Sequence, residues 1–318
     1  MKICLSEFAY SSEKKVFDEA FREHEILLID NAGHLIQGEG KPDVALVSYE
    51  IMFRARKNSE FHKKYLDLVD GCAFVQGSWA GIDGQVAQSL IKHSNIFSHG
   101  GGIHAIPIAT YVFAQILRSV KSIDDHIHLQ KEKKWDPMFS TGELTEMVIG
   151  ITGFGGIGKE VARLAKAFRM TVYATKRTPV ASDNLDQLFR ATEVNKMLPK
   201  CDFVVNCLPS SEETMRVFSK QQFGLMKNSA MFINVGRGET VNEDDLAIAL
   251  ESGEILCAAL DVIDSEPLRQ ESPLWTLKNC YITPHDSAWG PKAPIRAINL
   301  FLDNFKKFKE GKKLINQV

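Results

Sequence analysis

Hydrophobic residues in this chain fall in short runs that alternate with segments of helical spacing. The early runs lie at residues 2–5, 25–29, 44–48, 73–76 and 96–98. After a glycine-rich stretch at residues 100–102, a second series lies at residues 147–152, 171–174, 203–206, 231–234, 256–262 and 281–283. Buried strands that alternate with helices are typical of parallel α/β proteins. The pattern therefore predicts an α/β chain with two Rossmann- or flavodoxin-like parallel-sheet domains.

The order of the runs predicts where the two domains begin and end. Residues 99–286 form the predicted dinucleotide-binding domain. Residues 1–98 form the predicted substrate-binding domain, which residues 287–318 complete with an amphipathic helix that ends at Gly311. The glycines at 100–102 are a predicted hinge. A cleft between two domains is a usual place for a small-molecule site, so we expect the site there.

The run at 147–152 leads into a glycine motif, and a helical pattern follows it. The motif reads Gly153-Phe154-Gly155-Gly156-Ile157-Gly158. In this strand–turn–helix context, G-x-G-x-x-G indicates a dinucleotide site. Gly153 permits the tight turn, Gly155 lets the backbone approach a pyrophosphate, and Gly158 lets the helix pack against the strand. Because N–H groups at the helix start then face the phosphates, we predict that all six residues bind the cofactor.

The second strand of this unit lacks the acid that an NAD-binding fold usually places about 20 residues further on. The strand ends in Thr175-Lys176-Arg177. Between residues 159 and 182 the sole carboxylate is Glu160, at the helix start. Charge-assisted hydrogen bonds from these cations suit the 2′-phosphate of NADPH. Two solvated cations in a surface turn are the alternative, but the ribose must lie at this turn, so we predict NADP(H), with NAD as the second choice.

Arg237, Glu266 and His285 each follow a successive apolar run of the second series. In open α/β sheets, ligands lie beyond the carboxyl ends of the strands. Hydride transfer to a carbonyl leaves an alkoxide that needs an acid titrating near neutrality, and histidine is the usual one. A carboxylate orients that histidine and stabilises its protonated form, while arginine can hold a substrate carboxylate. Each residue alone has a structural explanation, as a strand-end histidine, a turn cap or a loop acid. Together they predict a catalytic set.

Composition fits a cytoplasmic enzyme and excludes other classes. The chain has 38 Lys plus Arg and 40 Asp plus Glu, a formal net charge of −2, which gives no attraction to nucleic acid or an anionic membrane. The six cysteines are scattered without a C-x-x-C pair, so neither a metal nor a disulfide is expected. The N-terminus is charged too early for a signal peptide. The longest apolar stretch, residues 106–117, is shorter than a membrane span and contains Gln115, which favours a buried helix.

Four segments follow the glycine motif in a fixed order. They are Asn234-Val235-Gly236-Arg237-Gly238, Ala259-Leu260-Asp261-Val262, Ser265-Glu266-Pro267-Leu268 and Thr283-Pro284-His285. With the motif, they resemble the D-isomer-specific 2-hydroxyacid dehydrogenase family, and residues 266–275 are most similar to its glyoxylate/hydroxypyruvate reductase A branch. The resemblance implies an NADP-dependent reductase that converts a small 2-keto acid, hydroxypyruvate or glyoxylate, into the D-2-hydroxy acid.

The resemblance also implies roles for particular residues. Arg237 would anchor the substrate, His285 would bind it and act as acid/base, and Glu266 would be the partner of that histidine. One loop would present backbone N–H groups to the substrate carboxylate, namely Trp79, Ala80 and Gly81. The cofactor would also contact Cys207, Leu208, Pro209, Val235, Gly236 and Asp261. A homodimer is expected, with the long helix near Ile106 in its interface.

The chain departs from the family pattern at three positions. Thr110 stands where the family often has an acid, Asp286 adds a charge beside the predicted catalytic histidine, and Trp289 adds bulk near the predicted cleft. These departures concern the substrate more than the reaction. Two alternatives stay open. One is a reductase of larger 2-keto acids such as phenylpyruvate, and the other is a nucleotide-sensing binding protein on the same fold, like the C-terminal binding protein corepressors.

Overall fold

The chain forms two compact units. The computed structural model describes residues 1–137, 141–178 and 182–318. The first unit consists of Met1–Ile103 with Gly290–Val318, and the second is His104–Trp289. In each unit a sheet lies between two layers of helices, which is the architecture expected when buried strands alternate with amphipathic helices.

The sheet of the first unit is mainly parallel. Its strands are β1 (Lys2–Ser6), β2 (Glu25–Ile29), β3 (Leu35–Gln37), β4 (Val44–Val47), β5 (Phe74–Gly77) and β6 (Phe97–Ser98). They pair in the order β3-β2-β1-β4-β5-β6, and β3 alone among these runs antiparallel to its neighbour. Every residue of β4 is buried, because helices cover both faces of the sheet.

Helices of the first unit pack on both faces of that sheet. Those within residues 1–103 are α1 (Glu7–Ser12), α2 (Lys14–Ala20), α3 (Tyr49–Lys57), α4 (Ser59–Val69) and α5 (Gln85–His93). Met52, Tyr65 and Leu90 bring α3, α4 and α5 into one core with the strands. Phe17 of α2 and the following Phe21 belong to the core on the opposite face.

The sheet of the second unit has the strand order of a dinucleotide-binding fold. Its strands are β7 (Val148–Thr152), β8 (Thr171–Lys176), β9 (Gln187–Arg190), β10 (Phe203–Asn206), β11 (Met231–Asn234), β12 (Cys257–Leu260) and β13 (Cys280–Ile282). They pair in parallel in the order β13-β12-β11-β10-β7-β8-β9. The order reverses between β7 and β10, and dinucleotides bind at such a switch point.

Two helix layers cover this second sheet. The helices are α6 (Ala105–Val120), α7 (Ile123–Lys131), α8 (Gly156–Ala167), α9 (Val194–Met197), α10 (Lys220–Gly224) and α11 (Glu243–Glu251). Val112 of α6 and Val161 of α8 share one core, while Phe223 and Leu246 belong to the core on the other face. Within the described ranges, no helix combines the length and the apolar character that crossing a bilayer requires.

The last helix, α12 (Ala293–Lys309), returns to the first unit. Its Phe301 and Phe305 rings lie edge-on to Phe21, with ring centroids 5.9 and 5.0 Å apart. Such aromatic pairs add specific geometry to the burial of large apolar surfaces. The helix stops before Gly311, which has a φ of +65° in the left-handed region, so the predicted C-terminal stop is confirmed.

The predicted fold class is confirmed, and the differences lie at the sheet edges. The strands β3 and β9 were not predicted. Ile36 of β3 is exposed, and in β9 only Phe189 is buried. An edge strand with one covered side lacks the continuous apolar run that marks a central parallel strand, so its pattern is weak.

Candidate active site

The glycine motif forms the turn between β7 and α8. Gly153 has a φ of +88°, and a Cβ there would lie 2.9 Å from the Cys207 carbonyl oxygen. A Cβ on Gly158 would lie 2.7 Å from the Gly153 carbonyl oxygen. Packing of the chain therefore requires glycine at both positions. At Gly155, in contrast, a Cβ would meet no described atom within 4 Å.

The N-terminus of α8 is suited to a phosphate group. The helix begins at Gly156, and no side-chain hydrogen bond from a described residue caps it. The first N–H groups of a helix have no acceptor within the helix, and they carry the positive end of its dipole. Phe154 N donates to Thr175 O at 3.1 Å, which holds the turn beside the end of β8. The open side of Gly155 and these N–H groups fit a dinucleotide pyrophosphate.

The end of β8 carries the predicted cofactor-selecting residues. Thr175 is buried, Lys176 is half-buried and Arg177 is exposed. Arg177 Nη1 lies 3.5 Å from Glu213 Oε2, and both side chains are mostly exposed, 80% and 73%. Glu213 belongs to the loop after β10 and was not predicted at this turn. Asp186, an acid that follows β8 in the sequence, accepts hydrogen bonds from Val172 N and Lys166 Nζ, toward the other end of β8.

A buried polar network joins the carboxyl ends of β7, β10 and β11. We call its four side chains, Thr152, Asn206, Asn234 and Thr240, the asparagine network; each is at most 1% exposed. Asn206 Oδ1 accepts from Thr152 Oγ1 at 3.0 Å and from Leu208 N at 3.2 Å. Its Nδ2 donates to Asn234 Oδ1 at 2.9 Å and to Thr240 Oγ1 at 2.7 Å. The Asn206 amide thus uses two donor and two acceptor sites, its full capacity.

The asparagine network also holds the loop that bears Arg237. The carbonyl oxygen of Arg237 accepts from Thr240 Oγ1 at 2.6 Å and from Asn234 Nδ2 at 3.3 Å. Gly236 N donates to Asn234 Oδ1 at 3.2 Å, and a Cβ on Gly236 would lie 2.5 Å from the Leu208 carbonyl oxygen. The guanidinium Nη1 of Arg237 donates to Gly236 O at 3.0 Å. The backbone before and at Arg237 is therefore fixed against the loop after β10.

His285 and Glu266 come together at the ends of β12 and β13. His285 Nδ1 lies 2.9 Å from Glu266 Oε2, and the two side chains are 46% and 42% exposed. His285 has a φ of +53°, the left-handed region that residues other than glycine rarely adopt. Its N–H donates to Asp261 O at 2.9 Å. The predicted pairing of this histidine with this acid is present, in a backbone conformation that clusters at functional sites.

The carboxylate of Asp261 organises the turn that carries His285. Asp261 is 3% exposed, and its Oδ1 accepts from Thr283 Oγ1 at 2.7 Å and from the N–H groups of Asp286 and Ser287, both at 3.1 Å. The Ser287 hydroxyl donates to Oδ2. Asp261 was predicted to contact the cofactor. Its observed contacts instead tie it to the histidine turn, and its predicted cofactor role stays a prediction.

The other predicted cofactor residues follow β10 and β11. Cys207 and Leu208 are half-buried, Pro209 is exposed, and Val235 and Gly236 are buried. Burial raises the pKa of the Cys207 thiol to about 12. A thiol that stays protonated is neither a nucleophile nor a metal ligand, so Cys207 serves as a small apolar side chain.

The predicted carboxylate-binding loop lies in the first unit, directly after β5. Trp79 is 7% exposed, Ala80 is exposed, and Gly81 is half-buried. Gly100 N donates to Trp79 O at 2.6 Å, and a Cβ on Gly100 would lie 2.9 Å from Trp79 N. The loop is thus packed closely against the glycine stretch. Its role toward a substrate stays a prediction.

Three features of the second unit were missed from the sequence. Glu213 lies on a surface loop without a recognisable pattern. Ser287 reaches Asp261 only because the backbone turns at His285. The asparagine network did leave a signal, since Asn206 and Asn234 each end a buried apolar run with a polar residue. A polar residue that ends a central parallel strand lies on the side of the sheet where ligands bind.

Comparisons with known proteins agree on one family. Residues 113–287 match the family model described as D-isomer specific 2-hydroxyacid dehydrogenase, NAD binding domain. A glyoxylate reductase/hydroxypyruvate reductase of Mus musculus is 31% identical over 236 residues, which cover 72% of this chain and 72% of that protein. A D-isomer specific 2-hydroxyacid dehydrogenase family protein from Aeromonas salmonicida subsp. salmonicida A449 has a crystal structure with a TM-score of 0.79 and 27% identity, covering 100% of this chain and 98% of that one.

A further crystal structure is that of a D-isomer specific 2-hydroxyacid dehydrogenase from Xanthobacter autotrophicus Py2 in complex with NADPH and MES. Its TM-score is 0.78 and its identity 26%, covering 100% of this chain and 97% of that one. The chain described here belongs to the D-isomer-specific 2-hydroxyacid dehydrogenase family. It is an enzyme of that family with an NAD-binding domain, and membership supports NAD(P)-dependent 2-hydroxyacid dehydrogenase activity on small-molecule substrates.

Proposed function

We propose that this enzyme reduces a small 2-keto acid, hydroxypyruvate or glyoxylate, to the D-2-hydroxy acid. The observation that carries the proposal is the hydrogen bond between His285 and Glu266, in the same unit as the glycine motif. An imidazole oriented by a carboxylate is the proton donor that carbonyl reduction requires. The printed name of the Mus musculus relative, glyoxylate reductase/hydroxypyruvate reductase, supports this substrate class.

NADPH is the proposed cofactor. The N-terminus of α8 would hold the pyrophosphate, and Thr175, Lys176 and Arg177 would bind the 2′-phosphate of the ribose. The two cations at the end of β8 support this choice, because phosphate binding favours charge-assisted hydrogen bonds. The Xanthobacter autotrophicus relative was crystallised with NADPH. The nicotinamide would lie along Leu208, Pro209 and the other residues after β10 and β11 that the sequence predicts as cofactor contacts.

His285 is the proposed proton donor. A bound reduced nicotinamide supplies the hydride. Because Nδ1 of His285 faces Glu266, the proton passes to the carbonyl oxygen of the substrate from Nε2. Glu266 fixes the orientation of the ring and offsets the positive charge of the imidazolium before the transfer. Arg237 holds the substrate α-carboxylate by a fork of two N–H donors, which sets the orientation of the carbonyl.

A panel of substrates with each cofactor tests this function. Steady-state rates are measured for glyoxylate, hydroxypyruvate, phenylpyruvate and acetaldehyde, each with NADPH and with NADH. We expect fast reduction of the two small keto acids with NADPH and none of acetaldehyde, because it lacks a carboxylate for Arg237. Faster turnover of phenylpyruvate would replace the small-acid assignment. An NADH preference would overturn the cofactor choice, and binding of NADPH without turnover of any acid would favour the nucleotide-sensing alternative.

Substitution of Arg237 tests the substrate anchor. Loss of one partner of a desolvated charge pair costs roughly 2–5 kcal/mol, so Arg237→Ala should raise KM for glyoxylate strongly and lower kcat. Arg269→Ala is the control for the loss of an arginine, because Arg269 is an exposed arginine of the second unit, whereas Arg237 is half-buried. Equal KM values for the two variants would remove Arg237 from the substrate site.

We also propose a homodimer. Ile106 of α6 is 52% exposed, and Ile123 and Ile127 of α7 are each 44% exposed. Large apolar side chains that are exposed on neighbouring helices are typical of a subunit contact. Light scattering after size-exclusion chromatography should give twice the mass of the 35.6 kDa chain. Elution of Ile106→Lys as the same species as the wild type would argue against this face.

A further inference from the structure

We propose that Asn206 and Thr240 are positioning residues that hold Arg237 in register with the cofactor-side loop. The inference rests on the proposed role of Arg237 as substrate anchor. Asn206 bonds the loop after β10 through Leu208 N and bonds Thr240 through its other end. The Thr240 hydroxyl then donates to the Arg237 carbonyl oxygen at 2.6 Å. One buried amide therefore connects the loop after β10 to the loop that bears Arg237.

The environment of the network explains why it fixes geometry. A polar group away from water is destabilising unless its hydrogen bonds are made, and Asn206 and Thr240 are both 0% exposed. The four bonds of Asn206 saturate its amide, so neither loop can shift without leaving a buried donor or acceptor unpaired. Apolar residues would fill the same space without that constraint.

Substitutions at Thr240 and at Asn206 are expected to have different effects on binding. Thr240 contacts the Arg237 loop directly, whereas Asn206 contacts both loops. Loss of the Thr240 hydroxyl should therefore impair substrate anchoring and spare NADPH. A change at Asn206 should impair both. A network that only stabilised the fold would produce no such division.

Three substitutions at Thr240 isolate its hydroxyl. Thr240→Val keeps the shape and removes the hydroxyl, while Thr240→Ser keeps the hydroxyl and removes the methyl group. Thr240→Ala compared with Thr240→Ser differs only in the hydroxyl, and this smaller pair serves if the valine variant fails to fold. Each variant is measured for the KM and kcat with glyoxylate, for the Kd of NADPH by fluorescence titration and for its Tm.

We expect the valine and alanine variants to raise KM for glyoxylate about tenfold or more, since small displacements of a positioning group have large kinetic effects. The serine variant should stay close to the wild type, and the Kd of NADPH should change little in all three. Equal KM values for serine and alanine variants, or a KM that follows Tm whatever the side chain, would overturn the inference. If Arg237→Ala leaves KM unchanged, the anchor assignment itself fails, and that result is separate from any result at Thr240.

Discussion

Glu266 Oε2 lies 2.9 Å from His285 Nδ1, although the two residues are 19 positions apart in the chain. Because Nδ1 faces Glu266, Nε2 of the imidazole is the atom that would donate the proton in the proposed reaction. Acid catalysis is typically worth about 10²–10⁴ in rate, so His285→Asn should lower kcat by that factor with glyoxylate. The Kd of NADPH should be nearly unchanged. A variant that retains a wild-type kcat would exclude His285 as the proton donor.

Glu266→Gln should have a smaller effect than the loss of the histidine. The amide oxygen of glutamine can still accept from Nδ1, but it carries no charge to offset the imidazolium. We expect kcat to fall roughly tenfold, about the value of one charge-assisted interaction. Glu271→Gln, a change at an exposed acid of the same loop region, is the control. Identical rates for both variants would show that the hydrogen bond has no catalytic role.

Substitutions at Arg177 and at Glu213 should change the preference for NADPH in opposite directions. Arg177→Ala should reduce the preference for NADPH over NADH by more than about tenfold, because a charge-assisted bond to phosphate is lost. Glu213 lies 3.5 Å from Arg177 and would repel the 2′-phosphate. Since exposed ion pairs are worth about 0.2–1 kcal/mol, Glu213→Gln should raise the preference only severalfold, and less at high salt.

The measurement for this pair is kcat/KM with each cofactor at low and high ionic strength. Arg269→Ala again serves as the control for the loss of an exposed arginine. Opposite signs for the Arg177 and Glu213 variants are the expected outcome. Changes of the same sign would show that the two side chains do not act on one ligand.

Ser287→Ala should weaken the turn around His285, the proposed proton donor. Its hydroxyl donates to the buried Asp261 carboxylate. Loss of one such bond should lower the free energy of unfolding by roughly 1–2 kcal/mol, measured by urea denaturation. The kcat should fall severalfold, because the His285 turn loses one of its supports. Ser252→Ala, at an exposed serine, should change neither quantity, and a Ser287 variant that behaves like it would contradict the assigned support.

We expect His99 to make the stability of the first unit sensitive to acid. Burial lowers the pKa of His99 below its ordinary 6.5, although a hydrogen bond with the Ala80 backbone acts in the opposite direction. Because the folded state disfavours the charged ring, the stability is complete above the unfolded pKa and is lost as the pH falls below it. The Tm should therefore drop between about pH 7.5 and pH 5.5.

His99→Gln should reduce that drop in Tm, since the glutamine does not titrate. His128→Gln, at a histidine that is 71% exposed, is the control and should leave the drop unchanged. Burial also lowers the pKa of His24 and His62, so part of the drop will remain. An equal drop in the wild type and the His99 variant would show that this ring does not contribute.

The sequence was sufficient for the fold class and for the edge of the second sheet at which His285 and Glu266 meet. Central parallel strands are buried on both faces, so runs such as the one before Gly153 are easy to recognise. Polar residues that follow successive runs must meet at one edge, and His285 and Glu266 do so. In these cases the prediction needed only the periodicity of the chain and the geometry of a parallel sheet.

What could not be predicted depends on the paths of loops. Glu213 meets Arg177 because an exposed loop after β10 passes the end of β8, and no periodic pattern encodes that path. Ser287 reaches Asp261 because His285 takes a positive φ, which a sequence signals for glycine but not for histidine. The edge strand β3 was not predicted for a related reason, since its exposed residues do not form an apolar run.

The folding of the chain does not require glycine at position 155, whereas the proposed binding of the cofactor does. The φ of −95° at Gly155 is open to any residue, and a Cβ there would touch no described neighbour within 4 Å. Alanine at this position should therefore weaken cofactor binding without weakening the fold, which would give a well-folded protein that does not bind the nucleotide. Selection on this glycine would then come from catalysis rather than from folding, in contrast to Gly153 and Gly158, where both act at once.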